Sequence, residues 1–213
     1  MTYAFVGLVL AYIILVLEPW QAQALVPLLF IYGSLPFPLI FVRLFRGKAI
    51  AQEGSGNISL SNSFRVGGSA AGVLTLVGEA SKGFLPALIS WYFFGYDIEV
   101  AVGLLAACML GAFYSPFLKG KGGLGTTLAM WGLLFLSPIS LLVLIGIMIL
   151  LLLLLKDSYL ATLATFWAAP IVVCLISGSW PIVLVTLLYA IIYSLRYSRK
   201  RDEIAHGIRI AKK

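Results

Sequence analysis

Charge, histidine and cysteine are all scarce in this chain of 213 residues. Only 11% of positions are Asp, Glu, Lys or Arg, against about a quarter in a soluble domain, which excludes an ordinary water-soluble core. The one histidine, His206, sits in a charged tail and has no metal-ligand partner nearby. Carboxylates are few and scattered, so no metal site is expected, and no cofactor. The two cysteines, Cys108 and Cys174, both fall in apolar runs and form neither a disulfide framework nor a CxxC pair. No basic stretch precedes the first apolar run, so no cleavable signal peptide is expected. GxxxxGK[ST] is absent, so ATP is not inferred. No repeat of fixed period and no low-complexity linker divides the chain.

Apolar residues fill the space left by charge. They make up 62% of the chain, roughly 132 positions, and mean hydropathy is +1.05. A helix needs about 20 residues to cross the hydrocarbon, so this content suffices for six or seven spans or slightly more. Breaks at charges, Pro and Gly give apolar segments at 3–17, 24–44, 70–94, 99–118, 123–136, 139–155, 159–177 and 180–196. Segments 3–17 and 123–136 are short for a full crossing. Fifteen Lys and Arg against eight Asp and Glu leave a net charge of +7. With eight spans, 14 of the 15 basic residues fall on the side of loops 45–69, 119–122, 156–158 and the tail. The other side carries Glu18, Asp97 and Glu99. The positive-inside rule puts the basic side in the cytoplasm with both termini; seven spans result if 3–17 does not cross. The charge excess therefore reads as sidedness, with membrane lipids rather than nucleic acid as partners. The expected fold is an all-α polytopic membrane bundle forming a single integral membrane domain. It has an extra N-terminal segment at 1–23, a core at 24–196 and a basic tail at 197–213. Oligomeric state is left open.

Polar residues gather in three clusters on the basic side. The first is GSGNISLSNSFRVGGS, Gly54 to Ser69. Its glycines let backbone approach a ligand, consecutive N–H groups make an anion nest, and Arg65 offers a planar fork for phosphate. A flexible solvated loop explains the Gly and Ser but not an arginine so close after Asn62. The second is KGKGGLG, Lys119 to Gly125, with glycines, two lysines and a helix N-terminus immediately after. A tight turn with positive-inside lysines is the alternative. The third is the tail RYSRKRDEIAHGIRIAKK, where Arg209, Lys212 and Lys213 suit anionic headgroups. Arg199 and Lys200, nearer the membrane, are placed to close over an anionic substrate. Within a span, Glu79 and Lys82 share a helical face three residues apart, as a functional or a structural pair.

These residues resemble a known family. The runs GSLPF at Gly33–Phe37, GSGNISLSN at Gly54–Asn62 with Arg65, and KGFLP at Lys82–Pro86 are similar to the first part of the bacterial membrane glycerol-3-phosphate acyltransferases of the PlsY type. GAFYSPFLKGKGGLG at Gly111–Gly125 resembles that family's GHxFPxxLxFKGGKG, and RKRDEI at Arg199–Ile204 its RHRENI. The motifs cover the chain from about residue 24 to 205 in the right order.

The resemblance implies seven spans, a cytoplasmic site and a place in the bacterial cytoplasmic (inner) membrane. The implied reaction moves a fatty acyl group from acyl phosphate to the first hydroxyl of glycerol-3-phosphate. Its product, lysophosphatidate, is the first intermediate of phospholipid biosynthesis. Carried over by position, Ser55, Gly56, Asn57, Asn62 and Arg65 match the first motif, and Lys119, Lys121, Gly122, Gly123 and Gly125 the second. Thr162 and Thr165 stand for serines of a third region. Ser55, Asn62, Arg65 and Lys121 are the expected catalytic set. Gly54, Gly56, Asn57, Ser61, Glu79, Lys82, Lys119, Gly122, Gly123, Gly125, Thr162, Thr165, Arg199 and Lys200 are the expected binding set. Arg65, Lys121 and the 122–125 amides would hold phosphate, while Ser55 and Asn62 orient the glycerol. Acyl phosphate already has a good leaving group, so positioning and charge stabilisation suffice without a protein base. Departures from the family pattern are Ala112 and Lys200 at its histidine positions, Leu124 at a lysine, Ser59–Leu60–Ser61 for GAT, and Glu79 for Asp. A transporter or binder of anionic lipids or phosphorylated solutes, or an inactive paralogue, is the competing reading.

Overall fold

A computed structural model describes the backbone of residues 2–120 and 122–211, and the side chains within it outside 2, 158–159 and 197–211. Lys121 is therefore outside the described residues. Every regular element described is helical: α1 Thr2–Val16, α2 Trp20–Ser34, α3 Phe37–Arg46, the single turn α4 Leu60–Asn62, α5 Gly68–Phe93, α6 Ile98–Phe113, α7 Thr126–Leu136, α8 Pro138–Leu155, α9 Ser158–Ser177 and α10 Trp180–Ala211, with short 3-10 and π turns between. Among the described residues, four helical segments are long and apolar enough to cross a membrane, at Leu60–Phe93, Ile98–Leu118, Pro138–Leu155 and Leu160–Ser177. A bent pair, α2 with α3, makes a fifth, and Tyr3–Val16, Thr126–Leu136 and Trp180–Arg196 are shorter apolar helices.

Two boundaries differ from expectation. The segment 24–44 is two helices bent by 43° rather than one. Pro36 has no N–H to donate and disfavours helical backbone at Leu35, which is extended with ψ 121. At the other end, α10 runs on to Ala211, so the tail from 197 continues the last helix. Its Arg, Lys, Glu and Ala are good helix formers.

The chain divides into two compact units, residues 1–136 and 137–213. In the first, α6 is the buried centre: 78% of its spanning stretch is inside, against 17% for α8 in the second unit. Lipid is as apolar as leucine, so close backbone packing through small residues decides what is interior. A side chain on Gly111 would strike the Phe30 carbonyl, and one on Gly33 the Cys108 carbonyl, so α2 and α6 meet backbone to backbone. Gly83 on α5 does the same against the Leu128 carbonyl of α7. In the second unit α9 packs against both α8 and α10. There the Phe166 ring lies 4.7 Å from those of Tyr189 and Tyr193.

Candidate active site

The loop between α3 and α5 is held at its base by an apolar cluster. Val42, Ile50 and Ala71 are fully buried, and Leu39, Phe41, Ile58 and Val66 pack on them. Above it, Asn62 organises the polar stretch. Its side chain is 2% exposed; Oδ1 accepts from the Ser55 amide at 3.1 Å. Nδ2 faces the carbonyls of Ile50, Glu53 and Asn57 at 3.2, 3.0 and 2.9 Å. Gly54 and Gly56 take left-handed backbone, φ +62 and +67, which lets the chain fold tightly around this amide. Ser55 is left exposed, its Oγ 3.5 Å from the Asn57 amide. Ser59 caps the turn that carries Asn62, with its Oγ accepting from the Asn62 amide at 3.4 Å and lying 3.3 Å from the Ser61 Oγ.

Arg65 follows in a π-helical turn, Ser63–Gly67, a widened geometry often found at functional sites. Phe64 in this turn lies against Gly72 of α5, and Arg65 is exposed. Arg46, at the end of α3, donates from Nε to the Gly67 carbonyl at 3.3 Å, which puts a second guanidinium beside this turn.

The second glycine-rich loop comes off the end of α6. Ser115 is buried and donates to the Ser34 carbonyl at 2.6 Å, tying this loop to α2. Gly120 donates to the Ser115 carbonyl at 2.9 Å and Gly122 to the Phe113 carbonyl at 3.1 Å. The Gly122 amide is thus spent on the fold. Among the described residues, no protein acceptor meets the amides of Gly123 or Gly125, which lead into α7. Lys119, in left-handed backbone with φ 52, is exposed. The two loops meet: a methyl group on Gly123 would lie 3.6 Å from the Ile58 carbonyl oxygen. The structure therefore brings Gly54–Arg65 and the 119–125 loop to one end of the first unit.

Glu79 and Lys82 are used differently. The Lys82 side chain is 2% exposed, and its amine donates to Glu79 Oε1 at 2.8 Å and to the Leu35 carbonyl at 2.6 Å, with the Phe37 ring 4.9 Å away. The break between α2 and α3 frees the Leu35 carbonyl from helical pairing; the Phe37 amide donates to it at 3.0 Å and this ammonium is its second donor. Beside it Tyr32 Oη and Ser81 Oγ lie 2.5 Å apart. Thr162 and Thr165 belong to α9 in the second unit, where Thr165 donates to the Ala161 carbonyl at 2.8 Å and contacts Met148 Sδ at 3.4 Å. Arg199 and Lys200 lie on the continued α10, with side chains outside those described. Among the described residues no three His, Cys, Asp or Glu lie together to hold a metal. Sequence reasoning missed Arg46, Ser115 and the Leu35 carbonyl. Only the Pro36 break signalled the last.

The sequence model of the family described as glycerol-3-phosphate acyltransferase matches residues 23–207. A glycerol-3-phosphate acyltransferase from Syntrophotalea carbinolica is 31% identical over 178 residues, 84% of this chain and 91% of that protein. One from Geobacter metallireducens is 35% identical over the same shares of each chain. The fold is similar to the crystal structure of PlsY (YgiH), an integral membrane glycerol 3-phosphate acyltransferase, in its glycerol 3-phosphate form. That likeness has a TM-score of 0.74 and 26% identity, and covers 88% of this chain and 93% of that one. With a match across most of its length and several apolar helices of spanning length, the chain is a multi-pass membrane protein and belongs to the glycerol-3-phosphate acyltransferase family.

Proposed function

We propose that this protein transfers a fatty acyl group from acyl phosphate to the 1-hydroxyl of glycerol-3-phosphate, at the cytoplasmic face of the bacterial cytoplasmic membrane. The hydroxyl oxygen forms an ester bond to the acyl carbon, the acyl–phosphate C–O bond breaks, and the hydroxyl proton leaves on the phosphate. The products are lysophosphatidate and inorganic phosphate. The observation that carries this reading is the meeting of two glycine-rich loops, with Ile58 beside Gly123 and Arg65 and Lys119 both exposed.

Two phosphate-bearing substrates bring like charges together, and cations with unpartnered amides offset that repulsion as the acyl group passes between them. Arg65, Lys121, Lys119 and the Gly123 and Gly125 amides are the phosphate ligands in this reading. Ser55 orients the glycerol. Asn62 is a positioning residue, because its amide is engaged with the loop's own backbone. Lys82 and Glu79 hold the α2–α3 break that supports the site. Purified protein given glycerol-3-phosphate with acyl phosphate, acyl-CoA or acyl carrier protein as donor tests the reading. Turnover with acyl phosphate alone is expected, and turnover confined to either of the other donors contradicts it.

A further inference from the structure

Helix α1 precedes the residues matched by the family's sequence model, which begin at 23. Apolar composition accounts for its place in a membrane but not for where its first turn goes. Its buried residues are Val6 and Ile13, and Leu17 just past its end is also buried. Leu17 reaches Gly103 near the start of α6, where a methyl group would lie 2.9 Å from Leu17 Cδ2. Gln23 secures this end by donating to the Leu17 carbonyl at 2.7 Å. Its other end meets the loop after α6, so α1 runs antiparallel to α6.

There the Tyr3 hydroxyl stands over Gly120. A methyl group on Gly120 would come within 3.2 Å of the phenol oxygen and 3.6 Å of Cζ. Gly120 has left-handed backbone, φ +78, and its amide is committed to Ser115, so its position is fixed while its missing side chain leaves room for the phenol. The Tyr3 hydroxyl makes no hydrogen bond to any described residue. An exposed lysine at 119 and the unpartnered amides of Gly123 and Gly125 belong to the same loop.

We propose that α1 completes the site: the Tyr3 hydroxyl donates a hydrogen bond to a phosphoryl oxygen held at the 119–125 loop. The proposal rests on reading that loop as a phosphate site. The extra helix is then part of the binding machinery rather than an added anchor.

Tyr3→Phe keeps the ring and removes the donor, whereas Tyr3→Ala removes both. In the full-length protein, each substrate is varied at saturation of the other, and inorganic phosphate binding is followed by calorimetry. A hydrogen bond to a charged group lost in Tyr3→Phe raises one KM about tenfold with kcat within about twofold, and weakens phosphate binding in the same ratio. Whichever KM moves identifies the phosphoryl group as the acceptor's or the donor's. Both KM values and phosphate binding unchanged in Tyr3→Phe overturn the proposal, including where Tyr3→Ala alone is impaired, since ring packing then suffices. Arg65→Ala and Lys119→Ala separate the two levels. If neither weakens phosphate binding, the loop is not a phosphate site and the reading of the site falls, with Tyr3 along with it. If both weaken it while Tyr3→Phe does not, only the role of Tyr3 falls.

Discussion

Removing the Asn62 side chain tests whether the glycine-rich loop owes its shape to one amide. The carboxamide has two N–H hydrogens for three carbonyls, those of Ile50, Glu53 and Asn57, and one oxygen for the Ser55 amide. Three hydrogen bonds are therefore satisfied at any instant, each with a net value of about 1 kcal/mol, so Asn62→Ala costs the ordered loop about 3 kcal/mol. At 1.4 kcal/mol per tenfold, that lowers the population of the competent loop roughly 100-fold. The apolar base at Val42, Ile50 and Ala71 is untouched, so global melting moves little. The expected readouts are a fall of about 100-fold in kcat/KM for acyl transfer and faster amide exchange over 50–62 with exchange elsewhere unchanged. Asn62→Asp keeps an acceptor for Ser55 but turns a carboxylate toward three carbonyls, so it does not rescue. An Asn62→Ala protein within about threefold of wild type, or an Asp variant equal to Asn, refutes the reasoning.

Other perturbations address the scaffold and the topology. Lys82→Met leaves Glu79 in a buried setting without its partner and takes one of two donors from the Leu35 carbonyl, costing about 3–5 kcal/mol in chemical or thermal unfolding. The double variant with Glu79→Gln recovers part of that loss. Gly111→Val drives a side chain into the Phe30 carbonyl and the Ser34 backbone, and lowers stability by about 1–3 kcal/mol or abolishes accumulation of folded protein. With Cys108→Ala and Cys174→Ala in place, a cysteine at Ser55 reacts with an impermeant reagent from the cytoplasmic side. One at Asp97 reacts from the opposite side, and labelling of both from one side contradicts the charge-based topology.

Hydropathy located the helices but not the interior. The stretch 139–155 is the plainest apolar run in the sequence and became α8, with mean hydropathy 3.1 and 17% of it buried. Helix α6 is less apolar, at 1.8, yet 78% buried. In a membrane both faces of a span are apolar, so the signal for the core was the small residues of α6, among them Ala107, Gly111 and Ala112. The bend at Leu35 was written in Pro36 and Pro38, but apolar residues on both sides masked it. The glycines and Arg65 of the candidate site were legible because backbone approach and phosphate geometry demand those residue types. Asn62 stood out in the sequence as a candidate site residue but not as the loop's organiser, because its carbonyl partners come together only through the tertiary fold. The Lys82–Leu35 bond joins residues 47 apart and has no local signature.

The central claim is that cations of the two loops hold phosphate while acyl phosphate acylates glycerol-3-phosphate. Its most direct test is the rate of acyl transfer from acyl phosphate to glycerol-3-phosphate by the purified protein and by Arg65→Ala and Lys121→Ala. The account predicts that each substitution lowers kcat/KM by about 100-fold, the loss of a charge-assisted contact to phosphate. Activity unchanged in both variants contradicts it.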